Sequence, residues 1–101
     1  MILRKYRWSR DYESAEEELT GFFKRRKLTP ERWHAEERQA FELQTVDYDR
    51  QLWCAEGSII FTVNGKAISL QPGDALDLPA NTPHSAVAGI AGTICYEVHP
   101  A

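Results

Sequence analysis

Apolar and polar positions change rhythm near residue 32. Between Asp11 and Lys27, the residues Tyr12, Ala15, Leu19, Phe22 and Phe23 recur at steps of three and four, the spacing of one helix face. Ser9 or Asp11 stands where an N-cap is needed. Glu13, Glu16, Glu17 and Glu18 come early and Lys24, Arg25, Arg26 and Lys27 late, an order that suits the helix dipole at both ends. The spacing predicts a helix over 11–27. Thr29-Pro30 has the form of a cap followed by proline at a first helical position, so one further helical turn is expected there. Ahead of the helix, Ile2-Leu3 and Tyr6-Arg7-Trp8 form a β-prone run, either an edge strand or an arm that adds to a partner's sheet.

From Arg32 onward the period shortens. Phe41–Val46 and Gln51–Ala55 read as strands around the polar run Asp47-Tyr48-Asp49-Arg50. Over Ser58–Val63, Ile59, Phe61 and Val63 share one face, and Ser58, Ile60 and Thr62 the other. Asn64-Gly65 is the dipeptide of a two-residue hairpin, because a type I′ turn needs positive φ at both central positions. Lys66–Leu70 returns, and Gln71-Pro72-Gly73-Asp74 turns again. Ala75–Leu78, His84–Val87 and Thr93–His99 complete the set. Short strands with regular turns predict an all-β sandwich or barrel with a short N-terminal helical segment.

The 101 residues fit one domain, with 1–40 as arm and helix and 41–101 as the barrel core. So small a core predicts burial against a second copy, hence a homodimer. The net charge is -3. Residues 1–40 hold ten Lys/Arg and eight Asp/Glu, and residues 41–101 hold two and seven. This balance argues against a nucleic-acid partner, and the basic run Lys24–Lys27 reads as a solvated helix end beside Glu16–Glu18. Cys54 and Cys95 form neither a CxxC pair nor a disulfide framework and read as small buried hydrophobes. No segment resembles a signal peptide and no apolar run is long enough to cross a bilayer, so a cytoplasmic protein without a membrane partner is expected.

The stretch Pro72-Gly73-Asp74-Ala75-Leu76-Asp77-Leu78-Pro79-Ala80-Asn81-Thr82-Pro83-His84 resembles the second motif of the cupin superfamily. With Glu56-Gly57 and Asn64-Gly65 upstream, the resemblance runs over residues 41–98. It implies a jelly-roll antiparallel β-barrel into which His84 points its imidazole as a metal ligand. The first motif departs. A metal-binding cupin carries two histidines, and often a glutamate, where this chain holds Gln44, Val46 and Arg50. The run from Asp47 to Phe61 looks like a bacterial branch of small cupins in which a His-x-His pair precedes a Tyr-Asp-Lys segment. Here the Tyr-Asp-basic part is kept and both histidines are gone.

Valine coordinates nothing, a glutamine carbonyl is a weak ligand, and arginine puts a permanent positive charge at the third position. No metal cofactor is therefore expected. A divalent metal, if bound, would draw on His84 with Glu42, Gln44 or Cys54, and with Cys95 as a further thiol. Strand parity turns Glu42, Gln44 and Val46 inward together, and Cys54 inward with Arg50 and Leu52. The same parity puts Trp53 outside, at a subunit contact. Trp33 reads as a structural aromatic that staples the barrel or covers its mouth.

The candidate ligand-binding residues are Glu42, Gln44, Arg50, Cys54 and His84, with His84 also the candidate acid or base. Arg50 either grips a carboxylate or phosphate or pairs with Asp47 or Asp49. Three readings follow. One is a barrel that binds a small polar or anionic ligand. Another is an enzyme, an isomerase or epimerase with His84 as base or a metal-dependent dioxygenase. The third is a vestigial pocket in a protein that works through its dimer surface or its helix. The missing histidines favour the first.

Overall fold

The computed structural model describes residues 1–8 and 15–100. The expected helix start, with Ser9, Asp11 and Tyr12, lies outside the described residues. Seven strands and one helix follow in the order β1 (Arg4–Arg7), α1 (Ala15–Arg25), β2 (Glu31–Ala35), β3 (Ala40–Gln44), β4 (Arg50–Val63), β5 (Lys66–Leu70), β6 (Asp74–Leu78) and β7 (His84–Val98). The pairings are antiparallel, in the order β1-β6-β4-β7-β2, with β3 on β7 and β5 on β4.

Two long strands organise the sheet. β4 and β7 pair from Gln51↔Val98 to Val63↔His84, so each joins two of the short strands expected from the sequence. They are interrupted by bulges between Cys54 and Glu56 and between Gly57 and Ile59. Gly57 and Gly92 meet there with φ of 70° and 72°. A Cβ on Gly57 would stand 2.0 Å from the Gly92 carbonyl oxygen, so only glycine lets the strands approach at this bend. Beyond it the neighbours change: β4 pairs first with β6 and then with β5, and β7 first with β3 and then with β2. The inward faces share one core that includes Leu52, Ile59, Phe61, Val63, Leu70, Leu76 and Leu78. Asn64 and Gly65 take φ of 51° and 79°, as the expected hairpin requires.

A second cluster lies on the outer face. Leu19 and Phe23 of α1 are buried over Trp53, Ala55, Ala75 and Tyr96. The helix ends in a Schellman arrangement, with Lys27 at φ 56°, Lys27 N bonded to Lys24 O and Leu28 N to Phe23 O. Glu16 ties the helix down by accepting from Tyr96 Oη at 2.7 Å and Arg32 Nε at 2.8 Å.

Two expectations need correction, and an open alternative is decided. Trp53 does point out of the barrel, but it is its own chain that covers it. Tyr6, Trp8, Phe22 and Phe23 surround it with ring centroids at 5.4–6.1 Å and leave it 7% exposed. The turn after Thr29-Pro30 is not helical. Glu31–Ala35 alternates, with Trp33 opposite Cys95 and Ala35 opposite Thr93, and the ladder to β7 outweighs the local helix-start signal. Of the two readings of the N-terminal run, the edge strand holds: β1 ends the strand order on β6, where Arg4 falls opposite Asp77 and Arg7 opposite Asp74. Arg7 Nη1 then donates to Asp74 Oδ1 at 2.6 Å, and Tyr6 Oη to Asp77 Oδ1 at 3.2 Å. Among the described residues no helix is long and apolar enough to cross a membrane.

Candidate functional site

One end of the inner core opens into a cavity of about 360 Å³. Trp33, Phe41, Ile59 and Phe61 form an apolar wall, and Gln44, Arg50, His84 and Glu97 a polar one. Register brings the polar group together. His84 opens β7 opposite Val63 on one side and Gln44 on the other. Arg50 opens β4 two residues before Leu52, whose partner is Glu97, so Arg50 and Glu97 are diagonal neighbours on the inward face.

His84, Arg50 and Glu97, with His99, form one hydrogen-bonded chain. His84 is 2% exposed, and its Nδ1 lies 2.9 Å from the Thr82 carbonyl. A carbonyl only accepts, so Nδ1 carries the proton and Nε2 offers its lone pair. Arg50 Nη1 donates to that Nε2 at 3.1 Å. Arg50 Nη2 donates to Glu97 Oε1 at 2.7 Å, and His99 Nε2 donates to Glu97 Oε2 at 2.6 Å. The Tyr48 ring stacks on His99 with centroids 4.4 Å apart. Burial works to raise the Glu97 carboxyl, but the hydrogen bonds from Arg50 and His99 outweigh it and hold the group below its usual range. Arg50 Nε is buried and has no partner among the described residues.

Of the residues singled out from the sequence, Gln44, Arg50 and His84 come together at the cavity. Glu42 does not. A bulge sets Phe41 opposite Ala86 but Gln44 opposite His84, so the inward alternation slips by one residue. Phe41 and Gln44 line the cavity, while Glu42 is exposed. Cys54 has the inward parity expected of it but lies in the packed core, away from the cavity lining. It faces Cys95 across the strands, and Thr93 Oγ1 sits 3.6 Å from the Cys54 Sγ and 3.5 Å from the Cys95 Sγ. The bond with Cys54 and burial push the Cys95 thiol well up. The soft-metal set of Glu42, Cys54 and His84 is therefore not assembled. Arg50 bonds Glu97 and His84, whereas Asp49 accepts from the Ala80 amide at 2.8 Å. Trp33 packs edge-on to Phe41 at 5.9 Å and lines the mouth.

Sequence reasoning missed Glu97 and His99. A signal was present: Glu97 shares strand parity with the apolar Cys95, and an acid on an inward face needs a cation. The segment 41–101 offers only Arg50 and Lys66, and Lys66 follows the hairpin turn.

No family model and no curated protein matches the chain. Solved structures do. A DUF861 family protein from Thermotoga maritima is 13% identical with a TM-score of 0.68, over 98% of this chain and 100% of that one. A cupin superfamily protein from Desulfitobacterium hafniense is 20% identical with a TM-score of 0.60, over 65% of this chain and 60% of that one. An RmlC-like cupin from Shewanella frigidimarina is 21% identical with a TM-score of 0.61, over 69% of this chain and 63% of that one. The fold is that of the cupins. The match spans less than two thirds of the Desulfitobacterium and Shewanella chains, and likeness at this identity is likeness of fold.

A cupin fold implies a metal at the inward histidine, and the residues around His84 do not fit one. The lone pair that a metal would take is met by the Arg50 guanidinium. A neighbouring group, Glu31, Glu97 and His99, has ligand atoms within 4.8 Å of one another. Both oxygens of its buried carboxylate are already engaged, one of them by a cation.

Proposed function

We propose that this cupin barrel binds a small polar molecule against Arg50 and Gln44, without a metal at His84. One observation carries the reading: the His84–Arg50–Glu97 chain stands across a cavity from an aromatic wall. The volume of about 360 Å³ falls within the usual span of small-molecule sites. Two walls of opposite character suit a ligand with one polar edge and one apolar face.

The charge balance selects among polar ligands. Arg50 contributes one positive charge, Glu31 and Glu97 two negative ones, and His84 is neutral in the tautomer its partners demand. The ionised lining thus sums to minus one, so a neutral ligand with carbonyl or hydroxyl acceptors is favoured over an anion. The spare N–H groups of Arg50 and the Gln44 amide supply its donors.

Binding is also favoured over acid–base chemistry. A general base needs a free lone pair, and the one on His84 Nε2 is occupied by Arg50. The same proposal treats the protein as a cytoplasmic homodimer, supported by the small core that 101 residues can build, and sedimentation at high concentration tests the dimer.

The experiment is a calorimetric screen of small neutral and anionic metabolites against the wild type, Arg50→Lys and His84→Ala. A hit should weaken about tenfold or more in Arg50→Lys, the loss of one charge-assisted hydrogen bond. Turnover of a hit that disappears in His84→Ala would replace this reading with the enzyme one. Anions that bind more tightly than neutral analogues would overturn the charge argument.

A further inference from the structure

The misfit between His84 and a metal has a definite shape. One planar guanidinium bridges an imidazole nitrogen at 3.1 Å and a carboxylate oxygen at 2.7 Å. Neutral imidazole and carboxylate are the ligand types that divalent ions take in protein sites. Arginine differs from such an ion in being covalently fixed and permanently charged. The side chains of Arg50 and Glu97 are only 12% and 7% exposed, so their charges compensate one another away from bulk water. Arg50 Nε has no partner among the described residues, which leaves the bonds to His84 and Glu97 as what anchors the head group.

We infer that Arg50 is the resident cation of this barrel: its guanidinium stands at His84 and Glu97 where a metal would stand, and its presence keeps divalent ions out. The inference does not depend on which molecule fills the cavity.

The electrostatics give it a consequence. His84, Arg50 and Glu97 together are neutral. Without Arg50, a buried carboxylate and a buried imidazole lone pair face each other with no cation between them, a costly arrangement. His99 already touches Glu97 Oε2, and a Glu31 oxygen lies within 4.8 Å of the Glu97 and His99 ligand atoms. Removing the guanidinium therefore vacates a position surrounded by oxygen and nitrogen donors. A divalent ion entering it would restore the missing positive charge.

The test uses tag-free protein and Co²⁺, followed by calorimetry and by its visible absorption, with wild type, Arg50→Ala, Arg50→Gln, Arg50→Lys and Arg50→Ala/His84→Ala. Weak uptake common to all five proteins is surface background. Above it, wild type and Arg50→Lys should bind nothing, since both keep a cation in place. Arg50→Ala and Arg50→Gln should gain one Co²⁺ at an affinity roughly tenfold or more above background, and the His84→Ala change should abolish the gain. Arg50→Gln decides the matter if Arg50→Ala does not fold, because glutamine keeps polar contacts without the charge. The inference is overturned if wild type binds one Co²⁺ as tightly as the neutral variants. It is equally overturned if a folded neutral variant gains nothing, or if the gained site survives loss of His84. A ligand found in the metabolite screen would stand in any of these cases, whereas one Co²⁺ bound by wild type and lost with His84 would also remove the metal-free part of the proposed function.

Discussion

Phe23→Ala asks whether α1 is part of the cooperative core or merely rests on it. Phe23 is 2% exposed, and its ring lies 5.5 Å from Trp53, 5.9 Å from Tyr96 and 5.7 Å from Phe22. Truncating a buried phenylalanine to alanine costs about 3–5 kcal/mol. A folded chain of this size commands only about 5–15 kcal/mol in all, so one ring accounts for a large share. At roughly 4–8 °C per kcal/mol for a small domain, the midpoint should fall by about 12–40 °C. The helix stop is unaffected, because Leu28 N bonds the Phe23 backbone carbonyl. Urea titrations followed by far-ultraviolet circular dichroism and by tryptophan fluorescence measure the loss. Trp8 and Trp53 both belong to the outer cluster, so the two signals should move together if unfolding is one transition. A loss under about 1 kcal/mol with an unchanged slope would refute the reasoning. The helix would then cover Trp53 without contributing to stability.

Glu97 and Glu16 have folded-state values below those of the free side chains, the first because the Arg50 and His99 bonds outweigh burial, the second through bonds from Tyr96 and Arg32. Groups of this sign add stability above the unfolded carboxylate value of about 4.3 and lose it as pH falls through the folded value. The share of stability that these two carboxylates add should be lost as pH falls below about 4, and Glu97→Gln should make that drop in the thermal midpoint shallower. Burial and then the Asp77 carboxylate raise the Tyr6 phenol to about 12. In an ultraviolet titration Tyr6 should ionise late, alongside Tyr96, whose phenol burial and the Glu16 bond also raise, and the Tyr6 step alone should move down in Asp77→Asn; an unmoved titration would assign the whole Tyr6 effect to burial. Gly57→Ala should cost about 3 kcal/mol or more, from a clash with the Gly92 carbonyl added to strained φ. Gly65→Ala, with nothing within 4 Å of its new Cβ, should cost only about 1 kcal/mol in the same urea assay.

Local chemistry was legible along this chain and long-range registration was not. Asn64-Gly65 needs only its own backbone to make its turn, and Ile59, Phe61 and Val63 need only an uninterrupted strand to share a face. Both readings held. Glu42 was misplaced because the inference crossed a bulge, and one extra residue reverses every side chain beyond it. The Thr29-Pro30 signal failed for a related reason: a helix-start propensity of tenths of a kcal/mol competes with a five-residue ladder to β7, whose far side is visible only in three dimensions.

The site shows the same division. Gln44, Arg50 and His84 lie in segments whose strand character the sequence displays, and they meet. Glu97, which gives Arg50 its partner, comes 47 positions later, so no local pattern couples the two. What couples them is an accounting rule, that a carboxylate on an apolar inward face must find a cation, and residues 41–101 hold only Arg50 and Lys66, although β1 and β2 bring further cations to the sheet. Applied within residues 41–101, that rule favours Arg50, since Lys66 follows the hairpin turn. Arg50 is thereby turned away from Asp47 and Asp49 and onto the interior, where the remaining edge of the guanidinium meets the His84 lone pair.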